Sequence, residues 1–391
     1  MQYRQFGKLD FEVSALGFGT MRLPTKDGKI DENEAGGMLH YAIDHGVNYV
    51  DTAYSYHGGN SEVFLGRALK GGYRDKVRLA TKLPSWLVES SRDFDRYLNE
   101  QLKRLQQDYI DFYLLHTLNK KSWAKLCALG ILEWAEKAVD DGRVRYLGFS
   151  FHDDYPTFKK IVDEFNWSMC LIQYNYMDVE NQAGRKGLQY AAAKGLAVAV
   201  MEPLLGGKLV DPPQAVQRLW NTAGAGRSPV EWALQWLWNQ PEVSVVLSGM
   251  SRMEQVKENV AVADRSGINL QTPEELALYD RVRAKYQELI AIPCTKCGYC
   301  MPCPQGVDIP RNFSNYNEGI MYNKPDFPRG EYGWWKHALD RGGMDQDIRA
   351  AQCIQCGECE EKCPQSISIN RWMPVIHHAL AENGPYLKKL P

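Results

Sequence analysis

The run Val47-Asn48-Tyr49-Val50-Asp51-Thr52-Ala53-Tyr54-Ser55-Tyr56 places a carboxylate directly after a short β-prone stretch. Apolar and aromatic residues of this kind favour a strand, so we predict a strand that ends at Asp51. A tyrosine follows that carboxylate five residues later, at position 56. Taken alone, the two residues are more typical of scaffold than of chemistry, and the segments around them must decide.

Three later strand candidates end in the same way, each with a polar residue at its carboxyl end. These ends are Lys82, His116 and Ser150, and the intervals from Asp51 onward are 31, 34 and 34 residues. One strand with its crossover helix takes about 30 residues or more. The repeat therefore predicts consecutive βα units.

Eight such units are predicted in total. Their strands are Ala15–Phe18, Asn48–Asp51, Val77–Thr81, Ile110–Leu115, Tyr146–Phe149, Met169–Ile172, Leu196–Val200 and Ser244–Leu247. Amphipathic helical stretches lie between them, among them Glu32–His45, Ser90–Leu105, Ile131–Asp141, Tyr155–Phe165, Gly184–Lys194 and Pro229–Asn239. Eight units within about 250 residues favour a (β/α)8 TIM barrel over an open doubly wound sheet. Against a Rossmann domain, Gly17-Phe18-Gly19-Thr20-Met21-Arg22 lacks the third glycine of that motif.

The composition is that of a soluble globular protein, with 44% hydrophobic and 24% charged residues and a net charge of −2. This near-neutral balance supplies no basic field for nucleic acid or an anionic membrane. No apolar run approaches the ~20 residues of a membrane span, and the N-terminus has no signal-peptide core. We therefore expect a cytoplasmic protein without nucleic-acid or membrane partners.

The cysteines are unevenly distributed. Only Cys127 and Cys170 precede residue 293, and the other eight lie between Cys294 and Cys363. The barrel pattern fades after the helical stretch Thr272–Ile290, where the composition becomes rich in Cys, Pro, Gly, Asn and Trp. We predict two domains, a barrel over residues 1–290 and an iron-sulfur domain over residues 291–391.

The spacing within the cysteine groups predicts two 4Fe-4S clusters. The second group has the spacing of a bacterial-type ferredoxin, and the first is one residue shorter in its last gap. Three cysteines of each run ligate one cluster, and the fourth, which precedes a proline, ligates the other. The predicted ligands are Cys294, Cys297, Cys300 and Cys363 for the first cluster, and Cys353, Cys356, Cys359 and Cys303 for the second. A zinc site leaves the Cys-Pro pattern unexplained, and disulfides suit a cytosolic chain poorly.

A long insert separates the two cysteine groups. Cys303 and Cys353 lie 50 residues apart, and helical patterns cover Pro310–Tyr322 and Gly333–Asp340. This arrangement resembles the helical ferredoxin modules of multi-domain redox enzymes. We therefore expect a small, mainly helical, ferredoxin-like domain after the barrel.

Catalytic groups of TIM barrels sit at the carboxyl ends of the strands. Asp51, Lys82 and His116 occupy that place on three neighbouring strands, and Tyr56 follows in the first loop. A charged lysine and aspartate at the ends of apolar strands are costly unless they are paired. We therefore predict that these four side chains form one site. Trp86, in the loop after Lys82, is equally compatible with lining a substrate pocket and with capping the barrel rim.

The same residues belong to motifs that resemble the aldo-keto reductase family over nearly all of residues 1–285. The motifs are Leu16-Gly17-Phe18-Gly19-Thr20-Met21, Asp51-Thr52-Ala53 with Tyr56, Ser61-Glu62 with Leu65-Gly66, Thr81-Lys82, Asp108-Tyr109-Ile110-Asp111 with Leu115-His116, Gly142 with Arg145 and Gly148-Phe149-Ser150, and Gln173-Tyr174-Asn175. The resemblance implies a catalytic tetrad of Tyr56, Lys82, Asp51 and His116, with Tyr56 as the general acid. Tyr54 is the alternative acid, although its spacing from Asp51 is not the family's. We expect the Lys82 ammonium to lower the pKa of the phenol, which is ordinarily near 10.

The resemblance also implies a nicotinamide nucleotide, NADP(H) in preference to NAD(H). The residues implied to bind it are Gly19, Thr20, Met21, Ser150, Gln173, Glu202, Pro203, Leu204, Gly206, Lys208, Ser248, Gly249, Met250, Arg252, Gln255, Glu258 and Asn259. Ser150 and Gln173 would hold the carboxamide, and the loop at Gly206 and Lys208 would cover the pyrophosphate with backbone amides and one cation.

The remaining nucleotide contacts depart from the family pattern. The family stacks the nicotinamide ring on an aromatic residue near the seventh strand, but residues 200–204 contain none, so Tyr174 or Leu204 would replace it. Where many members place a lysine and an arginine for the 2′-phosphate, this sequence has Gly249 and Gln255. Arg252 is then the cation expected at that end of the site.

Three functions remain open from the sequence. The favoured one is an NAD(P)H-dependent oxidoreductase acting on a small carbonyl or alcohol, whose clusters are structural or serve an external ferredoxin or another redox partner. The second is an electron-transfer or redox-sensing protein with a weakly active, nucleotide-binding barrel. The third is a flavin- or ferredoxin-linked reductase, since clusters pass single electrons and nicotinamide passes a hydride.

Overall fold

The computed structural model describes residues 1–224 and 226–391, and its contacts divide the chain into two compact units. The first unit comprises Met1–Gly206 and Val230–Leu276, and the second comprises Gly207–Pro229 and Ala277–Pro391. None of the helices in these described ranges has the length and apolar composition needed to span a lipid bilayer.

The first unit is a closed barrel of eight parallel strands, as predicted from the repeat of strand ends. In chain order these are β1 (Leu16–Gly19), β2 (Tyr49–Asp51), β3 (Arg78–Leu83), β4 (Ile110–Leu118), β5 (Val144–Phe151), β6 (Met169–Gln173), β7 (Ala197–Met201) and β8 (Val245–Gly249). Strand β8 pairs with β1, with Val246 opposite Leu16, and this closes the barrel. All eight predicted strands are present, displaced by at most a few residues.

The helices follow the predicted pattern, with several additions. They are α1 (Glu32–Asp44), α2 (Asn60–Ala68), α3 (Arg92–Leu105), α4 (Lys120–Ala128), α5 (Ile131–Asp140), α6 (Tyr155–Glu164), α7 (Gly184–Ala193), α8 (Gln214–Asn221), α9 (Pro229–Trp238), α10 (Met253–Asp264), α11 (Pro273–Gln287), α12 (Ile309–Met321), α13 (Asp326–Asp340), α14 (Glu358–Glu361) and α15 (Ile369–Ala381). Helix α2 was not predicted, because it is only nine residues long and offers a short periodic pattern. It proves to be important, because it lies behind the candidate site.

The amino-terminal end of the barrel is filled by apolar side chains. A hairpin of Tyr3–Gln5 and Glu12–Ser14 precedes β1. Its turn carries Phe6, which is fully buried and lies 4.9 Å from the ring of Phe112 inside the barrel. Alternate residues of the strands complete this cluster, as is usual in TIM barrels. Polar side chains are therefore left to the opposite end, where the strands finish.

The second unit is mainly helical and has its own core. Helices α12, α13 and α15 bury Phe313, Tyr316, Trp335 and Trp372, and six of the eight clustered cysteines pack against this core. Helix α13 begins at Asp326, seven residues before the predicted start, because Pro328 is accommodated in its first turn. The predicted helical domain is thus confirmed, with a longer α13 than the apolar pattern indicated.

Candidate active site and cysteine-lined cavities

Asp51 and Lys82 form a buried ion pair at the carboxyl ends of β2 and β3. Lys82 Nζ donates to Asp51 Oδ1 at 2.6 Å and to the backbone oxygen of Thr52 at 2.7 Å. Lys82 is fully buried and Asp51 is 3% exposed. Burial opposes the charge on Lys82, but Asp51 and Tyr56 together raise its pKa. The pairing expected for two charges at strand ends is therefore present, and it favours a charged ammonium.

The hydroxyl of Tyr56 lies 3.5 Å from Lys82 Nζ, which is also 5.0 Å from the centre of the Tyr56 ring. Tyr56 begins a short 3₁₀ turn, Tyr56–Gly59, directly after the loop that follows β2. Burial raises the pKa of Tyr56, and the ammonium opposes that rise without overcoming it. The sequence predicted a lowered pKa for Tyr56, and this prediction is wrong. The burial that raises the pKa depends on the packing around the ring, which the sequence does not show. Tyr56 is therefore a protonated phenol at neutral pH, which is the form that a general acid requires.

Tyr54 points to different partners. Its hydroxyl donates to Glu100 Oε2 at 3.2 Å, and its ring lies 4.1 Å from the guanidinium carbon of Arg104. Of the two tyrosines in this loop, the one within hydrogen-bond reach of Lys82 is therefore Tyr56.

His116 lies next to Tyr56, with their ring centres 6.1 Å apart in an edge-to-face arrangement. Burial, with smaller effects of Lys82 and His152, places the pKa of His116 well below its usual value. The imidazole is therefore neutral at pH 7, and its Nδ1 is a buried polar atom without a partner among the described residues.

The backbone next to His116 is irregular. Thr117 has φ of 56°, an unusual value for a β-branched residue, and the pairing of β4 with β5 shifts between Leu115 and Leu118. Ser150 Oγ accepts a hydrogen bond of 2.7 Å from the Thr117 amide. The strand end that carries His116 is thus tied to the one that carries Ser150.

Trp86 borders the same site. Its side chain is 46% exposed, and its ring lies 5.2 Å from that of His116. Lys125 Nζ donates to the backbone oxygens of Ser85 and Val88, which fixes the loop that carries Trp86. An exposed indole next to the imidazole offers an apolar surface to a substrate.

Several residues expected at the nucleotide are held by neighbours. Gln173 donates to Asp178 Oδ2 at 2.9 Å and accepts from Asn181 at 3.1 Å. Asn259 donates to Ser248 Oγ at 3.0 Å. Tyr174 is fully buried and its ring lies 5.1 Å from Trp236, so the suggestion that it replaces the stacking aromatic is wrong. Leu204, which is half-buried, remains for that position.

The other residues expected to bind the nucleotide lie near the ends of β1, β7 and β8 and in the second unit. Gly19, Thr20 and Met21 follow or end β1, and the Thr20 hydroxyl donates to the backbone oxygen of Asp51. Glu202, Pro203, Leu204 and Gly206 follow β7, while Gly249, Met250, Arg252, Gln255 and Glu258 lie at the end of β8 and in the start of α10. Lys208 lies in the second unit, where it forms an ion pair with Glu318 of α12.

One cation near these loops was missed from the sequence. The stem of Arg22 lies over Gly249, where an added Cβ would meet Arg22 Cγ at 3.3 Å, and Arg22 Nη2 lies 3.9 Å from the corresponding point on Gly206. Within the described part of the chain, the Arg22 side chain forms neither a hydrogen bond nor an ion pair. Gly249, where the resemblance implied a cation, is thus covered by an arginine from the loop after β1.

The eight clustered cysteines line two cavities in the second unit. The larger has about 460 Å³ of empty volume, including space open to solvent, and is bordered by Cys303, Cys353, Cys356 and Cys359. The smaller has about 310 Å³ and is bordered by Cys294, Cys297 and Cys363. Cys300 borders both cavities. The thiols surround open volumes, and in residues 1–224 and 226–391 no three His, Cys, Asp or Glu side chains come close enough to hold one ion.

Comparisons with known proteins agree with this architecture. The model of the Aldo/keto reductase family matches residues 15–271, and that of the 4Fe-4S dicluster domain matches residues 293–367. The uncharacterised oxidoreductase YqkF of Bacillus subtilis (strain 168) is 27% identical over 296 residues, which cover 68% of this chain and 92% of the relative. L-galactose dehydrogenase of Arabidopsis thaliana is 29% identical over 283 residues, which cover 67% of this chain and 88% of the relative.

A solved structure shows the same likeness. The holo form of an aldo-keto reductase from Bacillus halodurans is 29% identical, with a TM-score of 0.61 over 72% of this chain and 96% of that one. The family match covers more than half of the chain and coincides with the closed eight-stranded barrel. The chain therefore belongs to the aldo/keto reductase family of oxidoreductases and carries a 4Fe-4S dicluster domain after its barrel.

Proposed function

We propose that the barrel interconverts a small carbonyl compound and its alcohol, with NAD(P)H as the hydride donor and Tyr56 as the general acid. The observation that carries this proposal is the position of Lys82 Nζ, 2.6 Å from Asp51 Oδ1 and 3.5 Å from the Tyr56 hydroxyl. This is a proton donor with a fixed charge behind it, at the end of the barrel where such sites occur.

Each side chain has a distinct part in the proton transfer. As the substrate oxygen becomes negative, the Tyr56 hydroxyl gives it a proton, and the resulting phenolate is stabilised by the Lys82 ammonium. Asp51 keeps that ammonium charged and oriented. The neutral imidazole of His116 donates a hydrogen bond to the same substrate oxygen and polarises the carbonyl. In the reverse direction, the phenolate accepts the proton of the alcohol.

The residues present suit a nicotinamide nucleotide, which supplies the hydride when it is bound. The Ser150 hydroxyl accepts from Thr117 and keeps its own proton as a donor for the carboxamide, beside Gln173. Arg22 and Arg252 supply positive charge toward the phosphates, near Gly206 and Gly249. These two cations support NADP(H) as the preferred nucleotide, with NAD(H) as the weaker one.

For the second unit, we propose that Cys294, Cys297, Cys300 and Cys363 hold one cluster and that Cys353, Cys356, Cys359 and Cys303 hold the other. The two cavities group the thiols in these sets, apart from Cys300, which borders both. When assembled, such clusters transfer single electrons. An external ferredoxin or a similar one-electron protein is the partner that this chemistry would serve.

The test uses the full-length protein purified anaerobically. Binding of NADPH and NADH is measured by fluorescence titration, and turnover is followed with a panel of aldehydes, ketones and alcohols. We expect Tyr56→Phe to lower kcat by about 10²- to 10⁴-fold without weakening nucleotide binding. Tyr54→Phe is the matched control and should keep full activity, because the hydroxyl that it removes donates to Glu100.

Two outcomes would overturn the proposal. In one, neither nucleotide binds and no carbonyl compound is reduced. In the other, Tyr56→Phe turns over as fast as the unmodified protein, which would favour an electron-transfer or redox-sensing role for the chain.

A further inference from the structure

A buried carboxylate lies behind the ends of β2 and β3, and the proton transfer described above does not use it. Glu62, in the first turn of α2, is fully buried. Its Oε1 atom accepts hydrogen bonds from Thr81 Oγ1 and Gln101 Nε2, each at 2.6 Å. A buried carboxylate is costly unless it is paired and hydrogen-bonded, so these contacts are part of what keeps it there.

These contacts hold the strand that carries Lys82. Thr81 is the residue before Lys82 on β3, and its side chain turns toward Glu62 instead of the active site. Gln101 Nε2 also donates to the backbone oxygen of Lys82 at 3.0 Å. In addition, Gln101 Oε1 accepts from Tyr113 at 2.7 Å, which fixes the amide. Hydrogen bonds to Glu62 and from Gln101, on the helix side of the barrel, therefore hold the strand backbone at Lys82.

Arg104 extends the same network to the loop that carries Tyr56. One nitrogen, Nη1, donates to Glu62 Oε2 and to the backbone oxygen of Tyr54, both at 3.3 Å. The guanidinium also lies over the Tyr54 ring and pairs with Glu100. Tyr54 is two residues before Tyr56, so one guanidinium connects the loop of the general acid to the carboxylate behind Lys82.

The turn after Tyr56 fits closely around this guanidinium. Gly59 has φ of 90°, and a Cβ at that position would lie 3.3 Å from Arg104 Nη1. The loop thus meets Arg104 both before Tyr56, at the Tyr54 carbonyl, and after it, at Gly59. The residues between them have little freedom to move away from Lys82.

We propose that Glu62 and Arg104 are positioning residues, whose ion pair holds the Tyr56 loop against the strand of Lys82 and so sets the separation of phenol and ammonium. This inference rests on the proposed function, since it concerns the same proton donor. The separation is 3.5 Å, at the outer limit of a hydrogen bond, so a small outward shift of the loop removes the contact. A misplacement of about 1 Å in a reacting group can cost 10²-fold in rate.

The test compares Arg104→Met and Glu62→Gln with Arg67→Met in the full-length protein. Arg67 is the matched control, because it lies on the same helix as Glu62 and pairs with Glu32 at the surface. We expect Arg104→Met to lower kcat by about 10- to 100-fold, with KM for the carbonyl and the affinity for NADPH within about twofold. Glu62→Gln keeps an acceptor for Thr81 and lowers kcat less. Arg67→Met leaves all three quantities unchanged.

The pH profile separates positioning from general damage. Because Lys82 lowers the pKa of the phenol, loss of its contact raises that pKa. The acid limb of alcohol oxidation, which needs the phenolate, should therefore move to higher pH by about one unit in Arg104→Met. In a Tyr56→Phe background, Arg104→Met should cause no further loss of kcat.

The outcomes are distinguishable from those of the proposed function. If Tyr56→Phe is inactive but Arg104→Met and Glu62→Gln both keep the normal pH profile and kcat, the positioning role is wrong and the acid is still Tyr56. If Tyr56→Phe is fully active, the proposed function itself fails. Should Arg104→Met not fold, as judged by circular dichroism, Glu62→Gln and Arg104→Lys carry the test, and unchanged profiles in both overturn the inference.

Discussion

Lys82 Nζ donates a hydrogen bond of 2.6 Å to Asp51 Oδ1, and neither side chain is more than 4% exposed. Two charges that are both buried depend on each other, since removal of one leaves the other desolvated and unpaired. The ion pair also keeps a positive charge, the Lys82 ammonium, next to the phenol of Tyr56.

Asp51→Asn should impair both activity and stability. Without the carboxylate, the pKa of Lys82 falls and the phenolate loses its support, so kcat should drop by about 10²-fold or more. Breaking a buried ion pair costs about 3–5 kcal/mol of unfolding free energy, measured by urea titration. Asp44→Asn is the control, because Asp44 pairs with Lys76 at the surface, at 2.9 Å, and should leave kcat and stability unchanged. Equal effects of the two substitutions would contradict this account.

His116 should make the protein less stable in acid. Burial depresses the pKa of His116 in the folded state, while in the unfolded chain it titrates near 6.5. Below that pH the unfolded chain binds one more proton than the folded one, so stability is full above about 6.5 and is lost as pH falls toward the folded pKa. His116→Gln removes this proton and should flatten the decline between about pH 6.5 and 5.

The measurement is the midpoint of urea unfolding at a series of pH values, followed by circular dichroism. His45→Gln serves as the control, since His45 is exposed on the end of α1. Parallel pH curves for the unmodified protein and His116→Gln would show that His116 is not responsible.

Much of this site followed from the sequence because parallel strands bring their ends to one rim. The spacing of Asp51, Lys82 and His116 was enough to place them together, and β2, β3 and β4 are indeed neighbours. Arg104 carried no such signal. Its contact with the Tyr54 carbonyl joins α3 to the loop after β2, between residues 50 apart in sequence, and no local periodicity encodes such a contact.

The pKa of Tyr56 and the position of the Arg22 charge could not be predicted from the sequence either. Lysine next to tyrosine predicts a lowered pKa of the phenol, but burial of Tyr56 reverses the net direction. Burial depends on the packing of the whole rim. In the same way, Arg22 belongs to a motif that was already noted for its glycines, yet only the fold brings its stem over Gly249.

Substitution of the cysteines should remove the proposed clusters one at a time. The intact, anaerobically purified protein should contain about eight irons, four for each cluster. Cys356→Ser removes a ligand from the larger cavity and Cys297→Ser removes one from the smaller, and each should lower the iron content to about four. Cys127→Ser is the control, because Cys127 lies on α4, away from both groups in the chain. Retention of full iron content in both cluster variants would contradict the assignment.

Arg22 should govern the preference for the phosphorylated nucleotide. It is exposed, has no partner among the described residues, and its stem lies over Gly249, the position at which the family resemblance implied a cation. Arg22→Ala should therefore weaken NADPH binding by about 10-fold, the value of one charge-assisted hydrogen bond, and NADH binding much less. The loss should diminish at high salt, because exposed charges are screened within about 3 Å at 1 M.

The comparison with Arg252→Ala decides which cation contacts the extra phosphate. Arg252 precedes α10 and was the cation expected from the sequence, so it is matched to Arg22 in charge and exposure. If Arg22→Ala lowers the affinity for NADPH and NADH equally, its guanidinium serves the pyrophosphate common to both. If Arg252→Ala alone abolishes the preference for NADPH, the cation at the start of α10 performs that role and Arg22 does not. If Arg22→Ala lowers the affinity for NADPH but not for NADH, Arg22 performs the role of the cation that the resemblance implied at position 249. Gly249 then leaves the space that the Arg22 side chain occupies.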